Sequence, residues 1–402
     1  MIPVLLVLNA GSSSLKFQVF NGFDADEPGR IYRGQFDGLG GAARLVIKDN
    51  DGKVVENQNW EETDCFAHEE ALVHLAAWLR EHRGDYRLAA VGHRVVHGGL
   101  NYSEAVLIDQ HVLETLEQFV PLAPLHQPHN LKPIRILRRH SPELPQIACF
   151  DTAFHRNQPE IAQLFALPQS MTDRGVRRYG FHGLSYAYIA SVLPAYDPDL
   201  AQGRVVVAHL GNGSSLCGLK NSQSVASTMG YSALDGLPMG TRCGTLDASI
   251  VFYMLREMSL NAEEAERMLY TKSGLLGVSG ISNDMRKLRS LRDSEPSARL
   301  AIDLFVYRIG REIGSLMAAL GGIDGLVFTA GIGENDAATR AEVVHSVAWA
   351  GFDLDQEANV KGGPKITRNS GLSAWVIPTD EERMIAREMM SVMDTTRRKL
   401  AS

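Results

Sequence analysis

The chain has 402 residues, of which 45% are hydrophobic and 22% charged, and its 40 basic and 47 acidic side chains give a net charge of −7 at pH 7. This is the composition of a soluble globular protein, and at about 150 residues per domain the length predicts two or three domains. The acidic balance argues against general nucleic-acid binding, and no apolar run approaches the roughly 18 residues that a membrane helix needs.

Short apolar runs recur along the chain and predict buried strands. The first covers residues 4–8; no basic residue precedes it, and Asn9 and Gly11 end it too early for a signal peptide. Similar runs cover residues 147–150, 205–210 and 326–330, and long stretches of helical periodicity separate them. This alternation predicts an α/β architecture.

One helix is expected after Pro296, because Phe305, Ile309, Ile313, Leu316 and Leu320 follow three-and-four spacing and Gly321 supplies a stop. Residues 121–133 contain four prolines and two histidines, which interrupt the helical pattern of residues 112–120. We predict an ordered loop or a short cleft lining there.

Two segments half a chain apart resemble each other. Residues 8–15 (Leu-Asn-Ala-Gly-Ser-Ser-Ser-Leu) and residues 210–216 (Leu-Gly-Asn-Gly-Ser-Ser-Leu) each follow an apolar run and precede strand-like sequence. Gly- and Ser-rich turns can direct several backbone N–H groups at one anion, although strand–turn–strand units often end in Gly and Ser without binding anything. The pair indicates a duplicated domain with two phosphate-facing hairpins.

A third Gly-containing loop, residues 329–335, follows a strand and opens an apparent helix, where backbone amides favour a phosphate or a polar nucleotide edge. The chain has no Walker-type Gly-Lys-Ser/Thr sequence. Neither Gly211-Asn-Gly213 nor Gly331-Ile-Gly333 continues to the third glycine of a dinucleotide fingerprint. A P-loop or Rossmann site is therefore not expected.

Four charged residues are candidates for chemistry. Lys16 follows the first Gly/Ser turn and would place a cation beside a terminal phosphate, a solvated lysine being the alternative. Asp151 ends a buried strand, where α/β sheets place ligands, with structural capping as the alternative. Arg94 and Arg242 lie among glycines in turn-prone segments, which suggests two-point binding of an anionic substrate; ion pairing is the alternative for each.

No histidine pair shows metal-protease spacing, so zinc is not expected among the 13 histidines. His126 and His182 are better candidates for hydrogen-bond donors beside a phosphoryl group, with satisfied core histidines as the alternative. The four cysteines are scattered, and we interpret them as reduced thiols of a cytoplasmic protein.

Taken together, eight segments of the chain resemble the acetate kinase family, of the acetate and sugar kinase, heat-shock ATPase and actin superfamily. They are residues 9–16, 93–99, 149–155, 178–183, 209–215, 239–244, 331–335 and 378–382.

The resemblance implies an α/β fold of two ribonuclease-H-like (actin-like ATPase) domains from one duplicated core, with the substrates in an interdomain cleft. Residues 1–151, completed by a C-terminal helix at 383–402, would form the N-terminal domain. Residues 152–382 would form the nucleotide-binding domain.

The resemblance also assigns site residues. Asn9 and Glu381 would hold the metal, and Lys16, Ser12 and Ser14 would face phosphate. The catalytic group would comprise Asp151, Arg94, Arg242, His182 and His126. The nucleotide would contact His209, Leu210, Gly211, Asn212, Gly213, Asp284, Met285, Arg286, Gly331, Ile332, Gly333, Glu334 and Asn335. The acyl pocket would consist of Arg94, Val96, Leu125, Phe181 and Ala233.

The implied activity is reversible transfer of the γ-phosphoryl group of ATP to acetate by direct in-line transfer, which gives acetyl phosphate and ADP and uses Mg²⁺ or Mn²⁺. A cytoplasmic homodimer with no nucleic-acid or membrane partner is also implied. Ala233 stands where the family usually has proline and Thr245 where it has aspartate. The first departure keeps a propionate or other short-chain carboxylate kinase as an alternative. An actin-like ATP-switched binding protein is a distant one.

Overall fold

The structure is a computed structural model and describes residues 2–22, 27–82, 86–368 and 371–401. The chain divides into two compact units: Met1–Phe154 with Asp380–Ser402, and His155–Thr379. Compared with the boundaries drawn from the sequence, residues 152–154 and 380–382 fall in the first unit. Each unit has its own sheet, its own helices and its own core, which confirms the α/β class.

The sheet of the first unit has eight strands. They are β1 (Ile2–Ala10), β2 (Ser14–Asn21), β3 (Gly29–Asp37), β4 (Arg44–Asp49), β5 (Val54–Asn59), β6 (Tyr86–Val95), β7 (Val106–Leu107) and β8 (Gln146–Phe150). The order is β5-β4-β3-β2-β1-β6-β8-β7, and β1 pairs antiparallel with β2 and parallel with β6.

The sheet of the second unit has five strands. They are β9 (Arg204–Leu210), β10 (Ser214–Lys220), β11 (Gln223–Ser227), β12 (Gly325–Thr329) and β13 (Ser373–Val376), in the order β11-β10-β9-β12-β13. In both sheets the first strand (β1 or β9) has two strands joined by antiparallel pairing on one side and two strands joined by parallel pairing on the other, since β3-β2-β1-β6-β8 repeats the arrangement β11-β10-β9-β12-β13. This shared order confirms the duplicated core and both predicted strand–turn–strand units.

Helices connect and cover the strands. They are α1 (His68–Glu81), α2 (Gln110–Gln118), α3 (Gln127–His140), α4 (Glu160–Gln163), α5 (Gln169–Asp173), α6 (Gly183–Tyr196), α7 (Pro198–Ala201), α8 (Ala248–Arg256), α9 (Ala262–Thr271), α10 (Gly274–Ser279), α11 (Met285–Leu291), α12 (Pro296–Leu320), α13 (Ala330–Asn335), α14 (Ala337–Ser346), α15 (Gln356–Lys361) and α16 (Glu381–Ala401). Short 3₁₀ turns lie at Glu62–Asp64, Val120–Leu122, Ala153–His155 and Ala348–Ala350. Within the ranges given above, no helix has the length and apolarity to cross a bilayer.

The long helix α12 forms as the sequence predicts. Phe305, Ile309 and Ile313 are fully buried in the core of the second unit, so the apolar stripe faces the sheet. Gly321 ends the helix in the left-handed conformation at φ 71°, which glycine adopts without a steric penalty. The strand predicted at residues 326–330 lies one residue earlier, at Gly325–Thr329, because Ala330 already begins α13.

The predicted loop over residues 121–133 is wrong in its second half. Residues 127–133 belong to α3, which buries Leu131 and Ile134. Pro128 lies in the first turn, where the backbone N–H has no helical partner to lose, and Pro133 is tolerated inside the helix because burial of the apolar face outweighs one missing hydrogen bond.

Candidate active site

In the first unit, helix α16 covers one face of the sheet. A Cβ atom on Gly92 of β6 would lie within 3 Å of Met389 and Ile385, so only glycine lets the helix pack this closely. On β2, which β1 separates from β6, Gln18 Nε2 donates to Glu382 Oε2 at 3.3 Å. The N-terminal end of α16 therefore lies over β2.

Four predicted site residues share this face. Asn9 and Lys16 are direct partners in the β1–β2 ladder, and Lys16 lies two residues before Gln18. Arg94 lies two residues after Gly92 and pairs in register with Cys149, which lies two residues before Asp151. Since side chains alternate across a strand, these residues point to the side that α16 covers.

Arg94 and Asp151 form a two-point ion pair. Arg94 Nη2 donates to Asp151 Oδ2 at 2.6 Å, and Nε lies 3.1 Å from both carboxylate oxygens. Arg94 is therefore on a strand and partly buried, which corrects the expectation of an exposed turn. Burial alone would lower the pKa of Arg94, but the charges of Asp151 and Glu381 raise it above its ordinary value. The guanidinium is a permanent cation of fixed direction.

Acidic residues lie beside this pair at the start of α16. Glu381 Oε2 is 3.8 Å from Arg94 Nε. Burial, and next the charge of Glu381, raise the pKa of the neighbouring Glu382. In the part of the chain that the structure describes, no three His, Cys, Asp or Glu side chains are grouped for a metal ion. Asn9 and Glu381 nevertheless offer hard oxygen donors, and Mg²⁺ often uses only one or two carboxylates besides water and phosphate.

The remaining first-unit candidates surround the ends of β1 and β6. Ser12 and Ser14 belong to the β1–β2 hairpin, which is closed by a hydrogen bond from the Gly11 amide to the Ser14 carbonyl at 2.9 Å. The amide of the buried Val96 donates to Asn130 Oδ1, whose amide nitrogen donates to the Ala10 carbonyl. Asn130, which the sequence did not single out, thus ties α3 to both strand ends.

The last two first-unit candidates lie just before the start of α3. Leu125 is exposed, and His126 immediately precedes the helix.

In the second unit, three predicted nucleotide-binding segments surround one cavity of about 680 Å³. Eight predicted residues line it: Gly211, Asn212, Asp284, Met285, Arg286, Gly331, Ile332 and Asn335. Its size is within the range of small-molecule sites. Five of the predicted nucleotide contacts do not line it: His209, Leu210, Gly213, Gly333 and Glu334.

Three further residues line this cavity that the sequence analysis does not predict: Asn283, Arg289 and Asp336. Arg289 donates to Asp336 at 3.1 Å and to Glu342 at 2.7 Å. Burial would lower the pKa of Arg289, but the Glu342 hydrogen bond and the charge of Asp336 raise it. Asp336 also caps the N-terminus of α14. An aspartate at a helix N-cap is the one sequence signal that could have pointed to Asp336.

The segment of residues 330–335 is held rigid by two side chains. Glu334 Oε1 accepts hydrogen bonds from the amides of Ala330 at 2.8 Å and Thr379 at 3.1 Å, so its carboxylate supports the backbone. The buried Arg340 donates to the carbonyls of Gly333 and Glu334 at 3.0 and 2.8 Å. The cavity wall therefore keeps its shape without a ligand.

Two predicted histidines stack beside the second Gly/Ser turn. The rings of His182 and His209 are 4.1 Å apart and nearly parallel, and His182 Nδ1 lies 2.9 Å from Ser215 Oγ. A Cβ atom on Gly213 would lie 3.1 Å from His182 Nε2 and 4.0 Å from Arg242 Nη1. His182, Arg242 and the turn thus converge.

Arg242 is held by its own loop. Its Nη1 donates to the carbonyl of Ala233 at 2.9 Å. Nearby, Thr245 Oγ1 donates to Asp235 Oδ1 at 2.8 Å, and Asp235 pairs with Arg178 at 3.1 Å. Both departures from the family pattern, Ala233 and Thr245, are therefore integrated into this network.

A sequence profile described as the Acetokinase family matches residues 4–387. An acetate kinase of Rhodopseudomonas palustris (strain ATCC BAA-98 / CGA009) is 50% identical over 399 residues, which are 98% of this chain and 99% of that one. The chain belongs to the acetokinase family. This confirms the resemblance on which the site assignments depend.

Solved structures of the acetokinase type agree in fold. A propionate kinase from Francisella tularensis has a TM-score of 0.90 at 35% identity, covering 96% of this chain and 99% of that one. An acetate kinase from Porphyromonas gingivalis has a TM-score of 0.85 at 34% identity, covering 97% and 100%. The predicted actin-like ATPase fold is confirmed.

Proposed function

We propose that the protein is an acetate kinase, which transfers the γ-phosphoryl group of ATP reversibly to acetate and gives acetyl phosphate and ADP. The observation that carries the proposal is the fixed Arg94–Asp151 pair in a chain of the acetokinase family. Within the described residues, Nη1 of Arg94 makes no hydrogen bond, so a charged donor remains for a carboxylate or a phosphoryl oxygen.

The proposal assigns ATP to the second-unit cavity. Gly211 and Asn212 follow β9, Gly331 and Ile332 lie in the first turn of α13, and residues 283–286 span the N-terminal end of α11. Short Gly-containing turns let backbone amides approach a phosphate closely. The bracing by Arg340 supports this assignment, because a preformed wall loses little entropy when a ligand binds.

The chemistry follows from charge. A carboxylate and a triphosphate repel each other, so transfer requires cations that neutralise them and stabilise the charge on the equatorial oxygens. The candidate cations for this role are Arg94, Arg242 and Lys16. His126 and His182 are proposed as further donors to the phosphoryl group. Arginines in this role contribute a rate factor of roughly a thousand or more.

Asp151 acts through Arg94 in this proposal. Acetate is already ionised well above the reference carboxyl pKa of about 4, so no general base is needed to activate it. Because Asp151 occupies Nε and Nη2, it determines the direction of the guanidinium. Asn9 and Glu381 would hold Mg²⁺, which when bound would neutralise phosphate charge.

Propionate is a second candidate substrate. Ala233 is smaller than the proline usual in the family, and its carbonyl anchors Arg242. The smaller side chain at position 233 would leave room for one more methylene of the acyl group. One methylene in an apolar pocket is worth only about 1–3 kcal/mol of discrimination, so we expect propionate to react more slowly rather than not at all.

A cytoplasmic homodimer completes the proposal. All four cysteines are free, as expected in a reducing compartment. Exposed apolar side chains cluster on α8, where Ile250, Phe252 and Tyr253 are at least 40% exposed. Light scattering coupled to gel filtration measures the mass, and a monomer at micromolar concentration would contradict the dimer.

The decisive experiment traps acyl phosphate with hydroxylamine in the presence of ATP and Mg²⁺. We expect signal with acetate, less with propionate and least with butyrate. Arg242→Ala should lose activity, whereas Arg368→Ala, which removes an exposed arginine paired with Asp353 in the same unit, should retain it. Absence of acyl phosphate with every carboxylate would refute the function, and a preference for propionate over acetate would favour the second candidate.

A further inference from the structure

A buried histidine outside the assigned site lies directly beneath the segment that carries Phe181 and His182. His155 is 2% exposed, and its Nε2 lies 3.0 Å from the Phe181 carbonyl oxygen. A carbonyl only accepts hydrogen bonds, so Nε2 carries the proton and donates it. Burial lowers the pKa of His155 to about 4, which keeps the ring neutral at pH 7.

The other side of the ring is held as firmly. In the neutral ring Nδ1 is an acceptor, and Ser224 Oγ lies 2.8 Å from it. Gln158 Nε2 donates to the same Ser224 oxygen at 2.8 Å, and the Gln158 carbonyl accepts from Gln163. This buried network fixes both the tautomer and the orientation of His155.

The backbone before Phe181 fits against the ring. Gly180 has a φ of +75°, and a Cβ atom there would lie 2.6 Å from the His155 ring. Any other residue would therefore be strained in its backbone and would collide with the imidazole. The His155 ring also makes a T-shaped contact with the ring of Tyr186, whose hydroxyl contacts Ser215, the hydrogen-bond partner of His182.

The hydrogen bond to Phe181 acts on His182. The Phe181 carbonyl belongs to the peptide plane that joins the two residues, and His182 has the left-handed conformation at φ 57°, ψ 25°. Non-glycine residues adopt this region infrequently, and the contacts around His182 help to hold it there. In that conformation the His182 ring stacks on His209 and its Nε2 faces Gly213.

We propose that His155 is a positioning residue for phosphoryl transfer: its Nε2–H holds the Phe181–His182 peptide so that the His182 imidazole faces the transferring phosphoryl group and the Phe181 ring faces the acyl group. The proposal rests on the proposed function, since it refines the roles assigned to His182 and Phe181. His155 itself touches neither substrate.

The test compares two variants at one position. His155→Leu removes the donor, whereas Gln in His155→Gln places an amide nitrogen where Nε2 lies. For His155→Leu we expect kcat to fall at least about tenfold and KM for acetate to rise, because a misplacement of about 1 Å can cost up to a hundredfold. KM for ATP should stay within twofold of the wild-type value, because neither Phe181 nor His182 lines the nucleotide cavity. His155→Gln should restore most of the activity.

Two controls separate positioning from loss of stability. Ile309→Ala leaves a cavity in the hydrophobic core of the second unit and should lower the thermal midpoint without changing kcat below the transition. In a double-mutant cycle, His155→Leu should add little to His182→Ala, because both changes affect one group.

Wild-type kcat in folded His155→Leu, no rescue by His155→Gln, or independent losses in the cycle would each overturn the proposal. A wild-type protein without acyl phosphate formation would refute the function instead. In that case, ¹⁵N spectra of the His182 ring decide: an unchanged spectrum in His155→Leu refutes the positioning.

Discussion

The sharpest test of the nucleotide site is a single methyl group at Gly331. Gly331 lines the second-unit cavity in α13, and a Cβ atom built on it would meet no protein atom within 4 Å. Gly331→Ala therefore places a methyl group in the cavity and disturbs nothing else. Gly314 in α12 also has no atom within 4 Å of its Cβ position, and it does not line the cavity. Gly314→Ala is the matched control.

The two variants should separate stability from binding. Alanine in place of a helical glycine stabilises by about 1 kcal/mol, so both proteins should melt at or slightly above the wild-type temperature. In Gly331→Ala, the methyl group should overpack bound ATP at a cost of about 1–3 kcal/mol, which corresponds to roughly 5- to 150-fold weaker binding.

Calorimetric titration with ATP measures the affinity of each variant directly. KM for ATP, measured by trapping acyl phosphate with hydroxylamine (the hydroxamate assay), should rise in the same variant. Affinities within twofold of each other for Gly331→Ala and Gly314→Ala would refute the assignment of ATP to this cavity.

Three further predictions concern charge. Asp151→Asn should lower kcat about a hundredfold and also the thermal midpoint, because Arg94 loses its charged partner; full activity would show that the pair is only structural. Arg242→Lys keeps the charge but loses the planar fork, so the hydroxamate assay should show a kcat at least about a hundredfold lower at nearly unchanged KM for ATP. Burial, opposed by the Cys149 hydrogen bond, raises the pKa of Glu388 to about 7. Between its ordinary value of about 4.5 and 7, only the folded state keeps this proton, so wild-type stability falls by about 1.4 kcal/mol per pH unit from this group. Glu388→Gln removes this pH-dependent loss. The unfolding free energy of the variant, measured in urea, should therefore rise relative to that of wild type between pH 5 and pH 8. A difference between the two proteins that does not change with pH would contradict the assignment.

Much of the fold can be predicted because its signals are local. The two hairpins are marked by Gly- and Ser-rich turns between apolar runs, and α12 by its stripe and its glycine stop. The start of α3 could not be predicted from the same rules. Four prolines suggest a loop, and only the tertiary burial of Leu131 and Ile134 explains why a helix forms around Pro133.

The candidate site is predictable where its residues lie in Gly-rich motifs and not where it depends on distant partners. Gly211 and Gly331 are indicated by the turn chemistry of their own segments, whereas Asp284 is indicated only by the family resemblance. Arg289 and Asp336 lie 47 residues apart, and nothing local to either predicts their ion pair. The support that His155 gives to Phe181 is likewise invisible before burial and topology are known.

The two arginines differ from an ordinary basic surface because each is fixed before any substrate binds. Arg94 is held through Nε and Nη2 by a buried carboxylate, and Arg242 through Nη1 by the Ala233 carbonyl. Lys16, by contrast, is an exposed side chain on β2. Ordering a free arginine on binding would cost about 0.5–1.5 kcal/mol each, and this cost is already met when the protein folds. Direction as well as charge is therefore built into the fold, which is what stabilising a short-lived phosphoryl transition state requires.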